Sequence, residues 1–259
     1  MRRYRVLVPI VLVGALASGA RGAGQPAAAN VTWGERMVAE VQPGNNLYGS
    51  HPTIVRWAEN GQDARNRSVC SSFQTHVFEK AYDLHEADIV RWFGGPNPQA
   101  IDYYGTIKAN RGFSQVARVE DLQPGDIVAV SYGPGHKPTG HVMMIDSAPA
   151  AHHSTSPVEP GLHQYEVAVI DSSHSGHGSL DTRFAGGRHT TGAGRGTLRL
   201  YANADGTVAG YTWSTKRVSQ FYPVTDRQIA FGRYTGVPSD AAPKQPSTED
   251  GDDVTDDQQ

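Results

Sequence analysis

The chain lacks the features that mark several common classes of protein. Charged residues make up only 19% of its 259 residues, and the formal net charge is -3. The chain therefore has no excess of positive charge to neutralise a nucleic-acid backbone, and we expect no nucleic-acid partner. A single cysteine, Cys70, excludes an internal disulfide, a four-cysteine zinc site and a four-cysteine iron–sulfur site.

No apolar run reaches the roughly 20 residues that a membrane-spanning helix needs. The N-terminus has the pattern of a secretory signal peptide instead, because Arg2, Arg3 and Arg5 precede the apolar run VLVPIVLVGAL and a stretch of small residues. We predict a leader over 1–22, with an uncleaved anchor as the alternative. The mature protein is then expected in the periplasm or outside a bacterial cell, without a membrane contact.

The C-terminal residues also differ from the rest of the chain. Residues 238–259 hold seven acidic residues, one lysine and no aromatic residue, a composition that predicts a disordered acidic tail. Residues 30–236 are enough for one domain with a substantial core.

Within 30–236, the patterns predict helices first and strands later. Helices are expected over 32–41, over 53–60, after Cys70 and over 98–110, whereas 43–52 and 152–161 have loop compositions. The alternating runs predict strands over 127–132, 141–146, 165–172, 197–203, 208–214 and 229–234. Asp205 and Gly206 predict a hairpin between two of these strands. This order indicates an α+β fold with a mainly antiparallel sheet.

The helix that carries the cysteine is the best marked. Cys70, Phe73, Val77 and Ala81 recur at spacings of three, four and four, and Ser68 is the expected N-cap. Cys70 would then lie at the helix N-terminus, where the positive end of the helix dipole favours the thiolate, the nucleophilic form. The alternative for a lone cysteine is a small buried hydrophobic residue.

Two segments carry a resemblance to a known family. VCSSFQTHVFEKAY at 69–82 resembles the nucleophile helix of the NlpC-type papain-like cell-wall hydrolases, whose pattern is Asp-Cys-Ser-Gly-Phe-Val. LQPGDIVAVSYGPGHKPTGHVMMIDS at 122–147 resembles the Leu-x-Pro-Gly-Asp strand, loop and Gly-His-Val strand of that family. Val69 and Ser72 stand where the family has Asp and Gly, so the chain resembles a divergent member.

The resemblance implies a papain-like fold, with the nucleophile helix packed on the sheet and no cofactor. It also implies a cysteine peptidase or amidase that cleaves amide bonds in peptidoglycan stem peptides, or in another amide substrate. Cys70 would be the nucleophile and His141 the base. The third residue of the family is commonly a His on the next strand, where this chain has Asp171, followed by His174. A carboxylate stabilises an imidazolium better than a neutral imidazole does, so we predict Asp171, with His174 as the alternative.

Two further residues are candidate substrate contacts or oxyanion donors, Tyr48 in its turn-rich loop and Ser71 beside the cysteine. The backbone N–H of Cys70 is the expected main donor to the oxyanion.

A metal site is the competing interpretation. Asp171, His174, His177 and Asp181 form a D-x2-H-x2-H-x3-D run of residues that can bind metals, but this spacing matches no strong zinc pattern, so we expect a polar loop beside the active site and no metal. The glycine-rich stretch at 192–196 lacks the spacing of a phosphate-binding loop. Two alternatives stay open: a metal-dependent exported hydrolase that uses this run, and a catalytically inactive papain-like binding domain.

Overall fold

The computed structural model describes residues 28–133, 135–185 and 187–241. The predicted leader over 1–22 lies outside these residues, and only 238–241 of the predicted tail lie inside them. Asp240 in this short segment forms an ion pair with Arg111, at 2.7 Å between Oδ2 and Nη1. None of the helices in the described part of the chain is long and apolar enough to cross a bilayer.

The helices lie in the first half of the chain. They are α1 (Ala29–Glu40), α2 (Cys70–Tyr82), α3 (Glu86–Phe93) and α4 (Ala100–Lys108), with short 3-10 turns at Pro43–Asn45 and Val119–Asp121. The helices predicted over 32–41, after Cys70 and over 98–110 are confirmed. Helix α2 begins at Cys70 as predicted, but Val69 occupies the N-cap position and Ser68 ends the preceding strand.

The predictions differ from the structure at two other places. The helix predicted over 53–60 is wrong, because Ile54 and Val55 are β-branched and pair with a neighbouring strand. Trp57 turns into the core beside Trp33, with its indole N–H donating to the Trp33 carbonyl at 2.8 Å. Helix α3 has no counterpart in the predictions, because its buried residues Ile89, Trp92 and Phe93 make only one short apolar patch.

Fourteen strands occur in the described residues. They are β1 (Asn46–Tyr48), β2 (Ile54–Arg56), β3 (Arg65–Ser68), β4 (Phe113–Gln115), β5 (Ile127–Ser131), β6 (Gly140–Ile145), β7 (Ala150–His152), β8 (His163–Ser173), β9 (Phe184–Ala185), β10 (Arg188–His189), β11 (Gly192–Ala202), β12 (Val208–Thr212), β13 (Phe221–Pro223) and β14 (Gln228–Tyr234).

Nine of these strands form the main sheet, in the order β13-β12-β11-β8-β6-β5-β14-β4, with β7 on β8. Every pairing in it is antiparallel, so the predicted α+β fold with a mainly antiparallel sheet is confirmed. The six predicted strands are all present, and Asp205 and Gly206 do connect β11 to β12. The predicted loop over 152–161 holds the last residue of β7.

A smaller sheet in the order β1-β3-β2 lies before α2. It corrects the loop predicted over 43–52, since β1 lies inside that stretch and pairs in parallel with β3. Buried polar groups join this sheet to the main one: the Asn46 amide donates to the Ala193 carbonyl at 2.8 Å, and the Ser172 hydroxyl donates to the Ser68 carbonyl at 2.8 Å. The strand that leads into α2 is therefore fixed to β8 and β11.

The main sheet is buried on both faces. Ile127 and Ala129 of β5 pack with residues of the four helices in one core cluster, whereas Val128 and Val130 belong to a second cluster on the other face. Alternate side chains of a strand point to opposite faces, which explains this division. Helix α2 packs against β6 and β8, and the Gln74 amide donates to the Ile170 carbonyl at 2.9 Å. The first residue of α2 is thereby held beside these two strands.

Candidate active site

Cys70 lies at the first position of α2 and borders a small cleft. The cysteine is 7% exposed and is unpaired. The cleft is lined in addition by Tyr48, Ser71, Gln99 and Gly140. The structure therefore brings together the predicted nucleophile and both predicted substrate contacts, and it adds Gln99, which the sequence analysis did not single out.

His141 lies next to the cysteine on β6, and its imidazole is nearly fully buried. Its Nε2 atom is 2.6 Å from Oδ2 of Asp171, and Nδ1 is the ring nitrogen not used in this contact. Burial by itself lowers the pKa of His141, but the negative charge of Cys70 and the hydrogen bonds to Asp171 and Cys70 outweigh it and raise the pKa to about 10. The arrangement favours the imidazolium form of His141.

Asp171 lies on β8, the strand next to β6. The register pairs Ile145 with Val169, and alternation places His141 and Asp171 on the same face as this pair. Burial alone would raise the pKa of Asp171, but the charges of Arg183 and His177 and hydrogen bonds from both histidines hold it well below its usual range. Asp171 is a fully buried carboxylate that stays ionised.

His177 contacts the same carboxylate from the loop that follows β8. Its Nε2 atom is 2.9 Å from Oδ2 of Asp171, and its Nδ1 atom is 2.8 Å from the Trp213 carbonyl oxygen. Asp171 Oδ2 therefore faces two imidazole rings, one on the cysteine side and one on the opposite side.

Arg183 and Asp181 complete this buried charged cluster. Arg183 Nη1 lies 2.9 Å from Asp171 Oδ1 as an ion pair, and Nε and Nη2 each donate to Asp181 at 2.8 Å. Burial lowers the pKa of Arg183, but Asp171 and Asp181 outweigh it and raise the pKa. Burial raises the pKa of Asp181, but the hydrogen bonds and charge of Arg183 hold it below its usual value. Asp181 also accepts the backbone N–H of His177 at 2.7 Å.

Glycines of β11 make room for this cluster. A Cβ at Gly194 would stand 2.4 Å from the Arg183 side chain, and one at Gly196 would stand 2.4 Å from Asp181 and 2.5 Å from His177. Because Gly194 pairs directly with Asp171, these glycines lie beside the carboxylate. The glycine-rich stretch at 192–196 is therefore explained by close packing of the strand against the charged residues.

Trp213 contacts both histidines and also lines a second cavity. Its ring centroid is 4.7 Å from that of His141 and 4.4 Å from that of His177. This cavity is a groove of about 580 Å³ that His174 and Lys216 also line. His174 in turn contacts Tyr48 of the cysteine cleft, at 6.3 Å between ring centroids, so the groove and the cleft are neighbours.

The predicted third residue and its alternative have different positions. Asp171 contacts His141, whereas His174 faces Tyr48 and the groove. Of the predicted metal run, Asp171 and His177 come together with His141, and their ligand atoms all lie within 4.8 Å of one another. Asp181 is engaged by Arg183 instead.

This group does not fit a metal ion. Zinc bonds of about 2.0–2.1 Å in a tetrahedral site separate the ligand atoms by roughly 3.3 Å, whereas Asp171 Oδ2 lies 2.6 and 2.9 Å from the two Nε2 atoms, which are hydrogen-bond distances. The guanidinium of Arg183 also places a positive charge on the same carboxylate. The group is a hydrogen-bonded ion cluster in which the arginine supplies the cation.

The fold makes this an α+β protein with a mainly antiparallel sheet. The chain is 33% identical over 214 residues to uncharacterized protein R653 of Acanthamoeba polyphaga mimivirus, a match that covers 78% of this chain and 94% of the relative. The chain therefore belongs to the same protein family as that viral protein, whose name states no activity. No family model and no solved structure matches the chain.

Proposed function

We propose that the protein is a cysteine hydrolase that cleaves amide bonds, with Cys70 as nucleophile, His141 as general acid and base, and Asp171 as the group that orients His141. The observation that carries the proposal is a thiol at a helix N-terminus beside a buried histidine whose Nε2 atom is 2.6 Å from a buried carboxylate. Nucleophile, base and orienting group in this order are the arrangement of a catalytic triad.

The chemistry runs in two steps. The Cys70 thiolate attacks the carbonyl carbon of the amide, and His141 gives its proton to the nitrogen as the C–N bond breaks and the amine leaves. Water then attacks the thioester, His141 takes a proton from this water, and the C–S bond breaks to release the carboxylic acid and the thiolate. Asp171 holds the imidazole in one orientation and stabilises its positive form throughout.

Two donors in the cleft are suited to the oxyanion that forms in each step. The backbone N–H of Cys70 lies at the positive end of α2, and the side-chain amide of Gln99 carries two N–H donors on the wall of the same cleft. We assign these two groups as the oxyanion donors. Tyr48 and Ser71 line the cleft as substrate contacts.

The resemblance to NlpC-type hydrolases extends the proposal to three further properties, which are a papain-like fold, the substrate and the location of the protein. Helix α2 leads with the cysteine and packs on the antiparallel strands that carry His141 and Asp171, which supports a papain-like arrangement. We propose peptidoglycan stem peptides as the substrate and an exported protein as the setting. The groove beside Trp213 offers room for the part of the substrate that extends beyond the scissile bond.

The test is the pH dependence of Cys70 alkylation by iodoacetamide on the chain without residues 1–22, compared with His141→Ala. The only thiol of the chain gives the signal, so no substrate is needed. We expect rapid alkylation well below pH 8.5, which is about where a free cysteine ionises. The acid limb of the profile is the pH range over which the alkylation rate rises from its low-pH value. In His141→Ala this acid limb should move to higher pH. The imidazolium partner should persist to about pH 10, which NMR of the His141 ring reports.

Slow alkylation that follows a free thiol and is indifferent to His141 contradicts the proposal and favours an inactive binding domain. A positive result leads to a screen of peptidoglycan fragments and simple amides with wild type and Cys70→Ala. Hydrolysis that survives Cys70→Ala and is lost with a chelator would favour a metal-dependent enzyme.

A further inference from the structure

We infer that His177 and Arg183 are positioning residues for the Cys70–His141 pair, which hold Asp171 as an ionised carboxylate in the orientation that directs His141 toward the thiol. The inference rests on the proposed function and deepens it, because it extends the site from three residues to a connected buried cluster. Neither residue touches the cleft that Cys70 lines, so both act through Asp171.

The contacts of His177 indicate that its ring carries two protons. A neutral imidazole has one N–H and one lone pair. Both nitrogens of His177 face oxygens that only accept, Asp171 Oδ2 at 2.9 Å and the Trp213 carbonyl at 2.8 Å. Both contacts are hydrogen bonds only when the ring is an imidazolium. His177 then supplies a fixed positive charge to the oxygen that His141 also uses.

Arg183 forms an ion pair with the other oxygen of the carboxylate. Its Nη1 atom lies 2.9 Å from Asp171 Oδ1 and donates to the Gly192 carbonyl at 3.0 Å. Its other two nitrogens donate to Asp181. With every nitrogen engaged, the guanidinium is held in one position, and it places a positive charge 2.9 Å from Asp171 Oδ1.

The glycines of β11 make space for this cluster. The hollow that Gly194 and Gly196 leave is filled by Arg183, Asp181 and His177, and a side chain at either position would displace them. Strand β11 therefore has two glycines, and no side chain, at the positions where it lies closest to the Asp171 carboxylate and to the cluster.

The cluster matters for reactivity because a buried carboxylate takes up a proton readily when no charge compensates it. The groups that face Asp171 are His141 from β6, His177 and Arg183 from the loop after β8, and the backbone of Gly194 from β11. Without His177 or Arg183, Asp171 would take up a proton at higher pH and His141 would lose its ionised partner. The Cys70 thiolate would also lose a nearby positive charge, and this loss shifts the formation of the thiolate to higher pH.

The experiment measures the acid limb of Cys70 alkylation by iodoacetamide in His177→Gln, Arg183→Met and Arg183→Lys. We expect the limb to move to higher pH by about one unit or more in Arg183→Met, with smaller shifts in Arg183→Lys, which keeps the charge, and in His177→Gln, which keeps one N–H donor. The matched control is His152→Gln, which removes a histidine that pairs with Glu166 at 2.7 Å elsewhere on the sheet. This control should keep the wild-type profile.

Denaturant unfolding of each variant shows whether it folds, and if Arg183→Met does not, the two conservative variants carry the test. Wild-type profiles in His177→Gln and in the folded Arg183 variants would overturn the inference while the proposed function stands. A wild-type protein whose Cys70 already behaves as a free thiol would overturn both. A shift in the cluster variants without one in His152→Gln supports the inference, because loss of stability alone does not move the acid limb of a folded protein.

Discussion

The two sides of His141 differ in nearly every physical respect. On one side lies Cys70, which borders a small cleft with polar groups on its wall. On the other side, Nε2 faces a carboxylate that is fully buried and engaged by three positively charged or donating groups. The open side borders a cleft, whereas the closed side is buried among charged and donating groups. Under the proposed function, the reactivity of the thiol depends on residues that no substrate reaches.

We expect the largest effect from Arg183→Met, which should lower the stability of the closed side. Removing one member of a buried ion cluster leaves Asp171 and Asp181 without their shared cation, which typically costs about 3–5 kcal/mol. We expect a loss of that size in the free energy of unfolding, measured by denaturant titration near pH 7. A loss below about 1 kcal/mol would mean that the closed side is not held by charge.

The next effect lies on the open side and concerns rate. Loss of one oxyanion donor typically lowers kcat by about 10²–10³, so Gln99→Ala should lower kcat on the amide substrate found in the screen while KM changes little. Its unfolding free energy should stay close to wild type, because Gln99 is only half-buried. An unchanged kcat would remove Gln99 from the oxyanion site and leave the Cys70 N–H without a second assigned donor.

A third change falls at the boundary between the two sides. A Cβ at Gly140 would stand 1.9 Å from the Val130 carbonyl oxygen, so Gly140→Ala must displace the start of β6. Overpacking of this kind costs about 1–3 kcal/mol of unfolding free energy. We also expect the alkylation rate of Cys70 near neutral pH to fall toward that of a free thiol, because His141 is the next residue. Full retention of both stability and alkylation rate would contradict this placement of β6.

The smallest effect is expected where an ion pair lies on the surface. Arg118 pairs with Glu120, and their side chains are 44% and 46% exposed, so water and salt screen the pair. Arg118→Met should leave the unfolding free energy within experimental error of wild type. A loss comparable to that of Arg183→Met would show that burial is not what distinguishes the two arginines.

The sequence singled out Cys70 and His141 on one side and Asp171 on the other, but it missed one residue on each side, Gln99 and Arg183. Cys70 and His141 lie in local patterns, a helical face and a Gly-His-Val strand, which one segment of chain is enough to reveal. Arg183 and Gln99 lie in no such pattern, and only the pairing of β8 with β11 and the packing of α4 bring them to the site. A local signal for the closed side did exist: glycines at 192, 194 and 196 share one face of a strand, which indicates close approach of other groups.

The fold was predicted in the same uneven way. Long apolar, β-branched runs identified six of the nine strands of the main sheet, because a sheet that is buried on both faces has nearly continuous apolar strands. Short elements escaped, since β1 has three residues in a turn-rich stretch and β2 was taken for part of a helix. In both cases the deciding contacts are with β3, and no property of the short segments alone specifies them.

The single thiol of the chain has a practical consequence. Because the one cysteine lies in the candidate cleft, a covalent reagent that adds to sulfur marks one position in each molecule. The number of labels per chain then counts the competent molecules in a preparation, and mass spectrometry reads that number directly. The fraction of molecules with a reactive Cys70 can therefore be measured before any substrate is known.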